Sequence, residues 1–117
     1  MNASAAWLPS RARPVAGDPA LGSAFLDLLA EAVWDRPFTE VHEREIRRMK
    51  ARVERERIPP GEDPEFHLKL GRGSLSDVEW TVQLLQLRTG IRAPSTIDAL
   101  DALVAAGALG VEDAEVL

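Results

Sequence analysis

The stretch Lys69-Leu70-Gly71-Arg72-Gly73-Ser74-Leu75-Ser76-Asp77-Val78-Glu79-Trp80-Thr81-Val82-Gln83-Leu84-Leu85-Gln86-Leu87-Arg88 decides the fold. Its second half carries the clearest periodic signal in the chain. Leu75, Val78, Val82 and Leu85 recur at helical spacing, and Leu84 and Leu87 widen that face, so a helix from about Ser74–Ser76 to Arg88 should be the most buried element. Ser76 and Glu79 have the spacing of a capping box, and Gly90 stops the helix. The first half, with Gly71 and Gly73, is a glycine-bearing turn feeding that helix.

Working outward, the same period recurs and no strand pattern is convincing. Asp18-Pro19 forms an N-cap and first-turn pair ahead of Leu21, Phe25, Leu28, Leu29, Ala32 and Val33, which predicts a helix over about 19–34 ended by Arg36-Pro37. Thr39 can cap a second helix to about Arg57, with Val41, Ile46, Met49 and Val53 as a narrow stripe on an otherwise charged cylinder. Glu40 with Arg44 and Glu43 with Arg47 are spaced to pair on it. Pro59, Pro60, Gly61 and Pro64 read as a rigid linker, and residues 65–73 as extended or irregular. A further helix opens at Ser95, runs through Ile97, Leu100, Leu103 and Val104 and closes at Gly107. A short last helix follows from about Val111. The expected fold is all-α, a small bundle of four to five helices with the glycine-rich turn before its central buried helix. Residues 1–17 form an N-terminal arm and residues 18–117 the bundle.

Composition narrows the function classes. The 117 residues are 45% apolar and 28% charged, an ordinary globular balance for one modest core. No apolar run is long enough for a membrane span, and Pro9 and Pro14 interrupt any secretory signal. With no cysteine, a disulfide framework and a thiolate nucleophile are both excluded, which fits a cytoplasmic setting. His42 and His67 stand too far apart to suggest a zinc site, and no metal ligands are assigned. The net charge of −5 argues against nucleic acid as a partner, although seven basic residues cluster between Thr39 and Arg57 among five acidic ones.

Two chemistries compete at the glycine turn. Glycines permit close backbone approach, a helix N-terminus offers N–H groups, and Lys69 and Arg72 add positive charge, so a phosphate could bind there. A glycine turn before a helix is also commonly just a turn. Asp77 and Glu79 sit in the first helical turn, where capping and dipole compensation account for them. A second reading has them brace Lys69, Arg72 or a ribose hydroxyl, with Gln83 one turn further along the same face.

The runs Glu45-Ile46-Arg47-Arg48-Met49-Lys50, His67 to Gly73 and Asp77 to Leu87 together resemble glutamine synthetase adenylyltransferase. The resemblance extends back to Arg11-Ala12-Arg13-Pro14-Val15-Ala16-Gly17-Asp18 and forward to Thr96-Ile97-Asp98-Ala99-Leu100-Asp101-Ala102-Leu103. A looser form of the turn occurs in the related uridylyltransferases that modify the PII signalling protein. The resemblance implies a helical part of a large enzyme that moves AMP from ATP to a tyrosine of glutamine synthetase and removes it again, with ATP and magnesium as cofactors of the full-length family. By carry-over, Lys69, Gly71, Arg72, Gly73, Asp77, Glu79 and Gln83 would bind or brace the nucleotide phosphates.

Two departures from the family pattern bear on activity. Ser74 stands where the family usually has a further glycine, and its Cβ could hinder close approach of a phosphate. No Asp-x-Asp pair follows Gly22-Ser23, so the magnesium-holding carboxylates are missing and no catalytic residue is assigned to this chain, which should be inactive alone. The chain then reads as a truncated piece, with Met1 to Pro9 unlike family sequence. The alternative reading is a non-catalytic module that docks on glutamine synthetase, a PII-like protein or a second copy of itself. Trp7, Trp34, Phe38, Ile58 and Phe66 are the candidate contacts for such a module.

Overall fold

A computed structural model describes residues 8–117. After a 3-10 turn at Leu8–Arg11 come five α-helices: α1 Pro19–Val33, α2 Glu40–Arg57, α3 Leu75–Thr89, α4 Thr96–Ala105 and α5 Val111–Val116. The described residues contain no strand, so the all-α architecture and all five helices agree with the periodic reading. The segment at residues 65–73 is a series of turns. Trp7 and the other residues of the N-terminal arm before Leu8 lie outside the described residues. Further along the arm, Arg11 Nε donates to the Pro94 carbonyl at 3.0 Å, and its guanidinium lies 3.6 Å from Glu79.

The helix ends follow from local chemistry. The Asp18 carboxylate accepts from the Ala20 and Leu21 N–H groups at 2.7 and 3.2 Å, and Pro19 takes the first helical position, where its missing N–H costs nothing. Ahead of α2, the Thr39 N–H donates to His42 Nδ1 at 3.2 Å. On α2, Arg47 pairs with Glu43 at 2.7 Å, whereas Arg44 turns its Nε toward the Glu40 carbonyl instead of the Glu40 carboxylate. Gly90 closes α3 in the left-handed region at φ 74°, where glycine alone is unstrained. The Ser95 hydroxyl accepts from the Asp98 N–H at 3.4 Å at the start of α4.

The core has two centres, and α3 joins them. Val33, Ile46 and Leu87 bury against Trp34, Phe38, Met49, Trp80 and Leu84, which ties the end of α1 and the middle of α2 to one side of α3. Val82, Ala99 and Leu103 bury with Val78, Leu85, Ile91, Leu100 and Leu109, which packs α4 on its other side. At about 100° per residue, Leu84 and Leu87 lie roughly 150° around the helix from Val82, so α3 is the central helix because it is apolar on two sides.

Several residues expected in the core are outside it. Val41 is exposed because, five residues before Ile46, it lies roughly 140° away from that residue around α2. Leu75 and Ile97 are exposed at the first turns of α3 and α4. On α1, Leu21, Phe25 and Leu28 face outward and only Val33 is fully buried. Trp34 and Phe38 flank the first core cluster, Ile58 is half-buried and Phe66 is exposed. Among the described residues, no helix is long and apolar enough to cross a membrane.

Candidate functional site

The glycine turn is folded against its own backbone. His67 brackets its start: Nδ1 accepts from the Leu70 and Lys69 N–H groups at 3.0 and 3.3 Å, and the His67 carbonyl accepts from the Gly71 N–H at 2.8 Å. Because Nδ1 is an acceptor, the ring proton belongs on Nε2, which lies 3.3 Å from Glu62. Gly71 is buried, and a Cβ there would lie 2.6 Å from the carbonyl oxygens of both Pro64 and His67. The close approach that Gly71 permits is therefore between two parts of this chain. Gly73 is glycine for a different reason, its φ of +70°, with open space around it.

The first turn of α3 locks the other end. Ser74, not Ser76, is the N-cap, so the helix starts ahead of the expected Ser76–Glu79 box. Asp77, at the third helical position, reaches back and accepts the Gly73 N–H on Oδ2 at 2.7 Å. The Ser74 hydroxyl donates to the Lys69 carbonyl at 2.6 Å, and the Ser76 N–H donates to the same oxygen at 3.1 Å. The Ser74 N–H donates to the Gly71 carbonyl at 3.2 Å and the Leu75 N–H to the Leu68 carbonyl at 3.4 Å. Each backbone donor from Gly73 to Ser76 is thus engaged inside the chain. Ser74 has extended geometry at φ −84°, so its Cβ is unstrained, and its side chain is tucked inward.

Asp77 Oδ1 is shut off from solvent and faces Lys50 Nζ at 2.5 Å, and Lys50 also pairs with Glu54 along α2. Burial by itself pushes the Asp77 carboxyl up. The Lys50 ammonium and the Gly73 N–H, with the Arg72 charge beyond them, outweigh that and hold it below the usual carboxylate range. Burial likewise pulls Lys50 down, and its bonds to Asp77 and Glu54 outweigh this and raise it.

Of the seven residues marked out in the sequence, Lys69, Gly71, Arg72, Gly73 and Asp77 gather in this one turn. The side chains of Lys69 and Arg72 are exposed on its surface. Glu79 faces Arg11 and is exposed, and Gln83 is half-buried one turn along α3. Three residues that hold the turn were not assigned to it: Lys50, His67 and the Ser74 hydroxyl. Below the turn, an open cleft of about 880 Å³ is lined by Ile58, Pro60, Pro64, Leu70, Gly71 and Arg72, among others. Among the described residues, no three histidine or carboxylate side chains are grouped so that they could hold a metal ion.

The described residues thus form an all-helical unit with a braced, cation-bearing glycine turn before its central helix. Residues 41–117 match the family model described as GlnD PII-uridylyltransferase, and the chain belongs to that family. Its curated relatives include proteins named bifunctional glutamine synthetase adenylyltransferase/adenylyl-removing enzyme. The one from Leifsonia xyli subsp. xyli is 51% identical over 109 residues, covering 89% of this chain and 11% of the relative. Those from Streptomyces avermitilis and Mycobacterium leprae are 52% and 51% identical over 118 and 114 residues, each covering 92% of this chain and 11% of the relative. The chain therefore spans 11% of the length of these relatives. No solved structure matches it.

Proposed function

We propose that this chain is the helical flank of a glutamine synthetase adenylyltransferase site, presenting Lys69 and Arg72 to the phosphates of ATP held by a nucleotidyltransferase domain beside it. The observation that carries the reading is the turn itself: two exposed cations stand on a turn whose N–H groups at Gly71 and from Gly73 to Ser76 are already engaged. Anion contact then falls to the two side chains, while Gly71, Gly73 and Asp77 fix where they stand. The magnesium-holding carboxylates belong to the neighbouring domain, so the chain alone transfers no AMP. The relatives' names carry the substrate, glutamine synthetase, and half of all positions over nine-tenths of the chain are shared with them.

A graft tests this. The segment of the Streptomyces avermitilis relative that aligns with this chain is replaced by this chain, and AMP incorporation into glutamine synthetase is measured. The graft retains transfer, and Lys69→Ala or Arg72→Ala in it lowers transfer by about tenfold, the worth of one charge-assisted contact. A folded graft without activity, or one indifferent to both substitutions, sinks the proposal.

A further inference from the structure

Helix α2 turns a face of a single charge sign to solvent. Its buried side centres on Ile46. At about 100° per residue, the arc of roughly 100° opposite Ile46 holds, from position 44 to position 55, Arg44, Arg48, Ala51, Arg52 and Arg55 and no carboxylate. All of these are exposed. The acidic residues of the helix stand on its flanks, Glu40, Glu43 and Glu54 along one and Glu45 and Glu56 along the other. Pairing inside the chain leaves the face cationic. Arg52 and Arg55 share one carboxylate, Glu56, at 4.0 and 3.6 Å, and Arg44 turns its Nε to the Glu40 carbonyl. Among the described residues no carboxylate pairs with Arg48. The chain carries −5 overall, so this face reverses the sign of its surroundings.

The shape of the charge selects the partner. Arg44, Arg48 and Arg52 follow one another at about 6 Å along the axis and Arg55 comes about 4.5 Å later, a line on the order of 16 Å long and one side chain wide. A broad polyanion, such as duplex nucleic acid, would bring phosphates over Glu45, Glu54 and Glu56 as well as over the arginines, and those borders repel it. A single line of carboxylates fits: a helix with Glu or Asp at i, i+4 and i+8 has the same rise as the arginines. Each planar guanidinium can grip a carboxylate through two parallel N–H bonds, which an ammonium cannot. The one lysine of α2, Lys50, is turned inward to Asp77. The line also leads somewhere. Ala51 and Arg55 at its end form one wall of the open cleft whose other wall is Leu70, Gly71 and Arg72.

We propose that the arginine face of α2 docks an acidic helix of the protein that accepts AMP and leads it toward the glycine turn. Arg44, Arg48, Arg52 and Arg55 pair with a line of carboxylates on that helix, and Glu45 and Glu54 meet basic residues on its flanks. That the partner is the acceptor rests on the reading of this chain as the flank of a transfer site. The face itself binds without any AMP transfer, so failure of one is separable from failure of the other.

Two synthetic helical peptides of equal composition are titrated into the full chain at low salt, with the arginine Nε–H signals followed by NMR. One sets glutamates at i, i+4, i+8 and i+11 in a line with lysines on both flanks, and the other scatters the same residues around the helix. The ordered peptide shifts the signals of Arg44, Arg48, Arg52 and Arg55 and spares those of Arg11 and Arg92, which face Glu79 and Asp35. The double variant Arg44→Gln, Arg48→Gln weakens its binding about five- to tenfold, the effect of two exposed charge pairs, with an unchanged melting midpoint. Arg44→Lys with Arg48→Lys, which keeps the charge and loses the paired N–H geometry, falls between the two. In the Streptomyces avermitilis graft, Arg44→Gln with Arg48→Gln raises the KM for glutamine synthetase by a similar factor and leaves the KM for ATP alone. Equal binding of the two peptides, binding of neither, or an unchanged KM for glutamine synthetase in an active graft overturns the proposal and leaves the transfer reading standing. Tighter binding of a short DNA duplex than of the ordered peptide, or a dimer in light scattering that the glutamine variant splits, also overturns it. A folded but inactive graft sinks the transfer reading and, with it, the acceptor as partner.

Discussion

Lys50 Nζ lies 2.5 Å from Asp77 Oδ1, and the other oxygen of that carboxylate accepts the Gly73 N–H, so one side chain of α2 holds the glycine turn through a single intermediary. Lys50→Met leaves a carboxylate with one oxygen out of solvent and no cation against it. The substitution is expected to destabilise the chain by about 1–3 kcal/mol, read as a lower urea midpoint with unchanged slope. Lys50→Arg, which keeps the charge, should recover part of the loss. A Lys50→Met chain as stable as wild type would mean that α2 and the turn are not coupled through this pair.

The same pair sets a pH dependence. The folded Asp77 carboxyl is held below its ordinary 3.8, so its contribution is complete above that value and is lost as pH falls through the lowered folded one. Lys50 is raised above 10.5, so its contribution is complete below 10.5 and is lost only as pH rises through the raised value. From about pH 5 to 9 the pair should therefore add a constant term. Urea midpoints of wild type and Asp77→Asn, measured from pH 2.5 to 7, should differ most at pH 7 and converge toward the acid end. A difference independent of pH would assign the cost of Asp77→Asn to shape and not to charge.

Gly71 and Gly73 should respond differently to alanine. At Gly71 the new Cβ meets two backbone oxygens at 2.6 Å, and neither can move without opening the turn, so Gly71→Ala is expected to cost more than about 2 kcal/mol. At Gly73 there is space, and the cost is only the positive φ, about 1 kcal/mol. Gly73→Asn, a residue that tolerates this region, should cost less than Gly73→Ala. Thermal or urea unfolding of the three variants gives the order directly, and a Gly73→Ala loss equal to that of Gly71→Ala would contradict it.

Helix number and ends were legible because capping chemistry is local: Asp18-Pro19, Gly90, Ser95 and Gly107 act within a turn of themselves. The burial of individual residues was less so. A stripe written as Val41, Ile46, Met49 and Val53 hides that Val41 is out of phase, and no single-helix pattern says which of the two apolar sides of α1 is covered. At the site, Asp77 was marked but its partner was not, since Lys50 stands in a charged run that reads as solvated. The available signal was its place four residues after Ile46 and three before Val53, on the border of the buried face. His67 acts by accepting backbone N–H groups, which leaves no spacing signature.

Gln86 is the clearest case of a residue whose role only the packing discloses. It lies on α3 between Val82 and Gly90, reads as an ordinary polar helix position, and is 2% exposed. Its Nε2 donates to the Ala93 carbonyl at 2.8 Å, pinning the connection that carries Ile91 into the second core cluster and leads to Ser95 at the head of α4. Gln86→Leu is close in size, so packing is roughly kept, but it leaves the Ala93 carbonyl without that donor. The expected cost is about 1–3 kcal/mol, mainly the desolvation of an unpaired group. Because the contact ties down the segment between α3 and α4, amide exchange from Ile91 to Ala99 should accelerate more than exchange in α2. Uniform acceleration throughout the chain would instead make Gln86 a general core residue with no particular hold on α4.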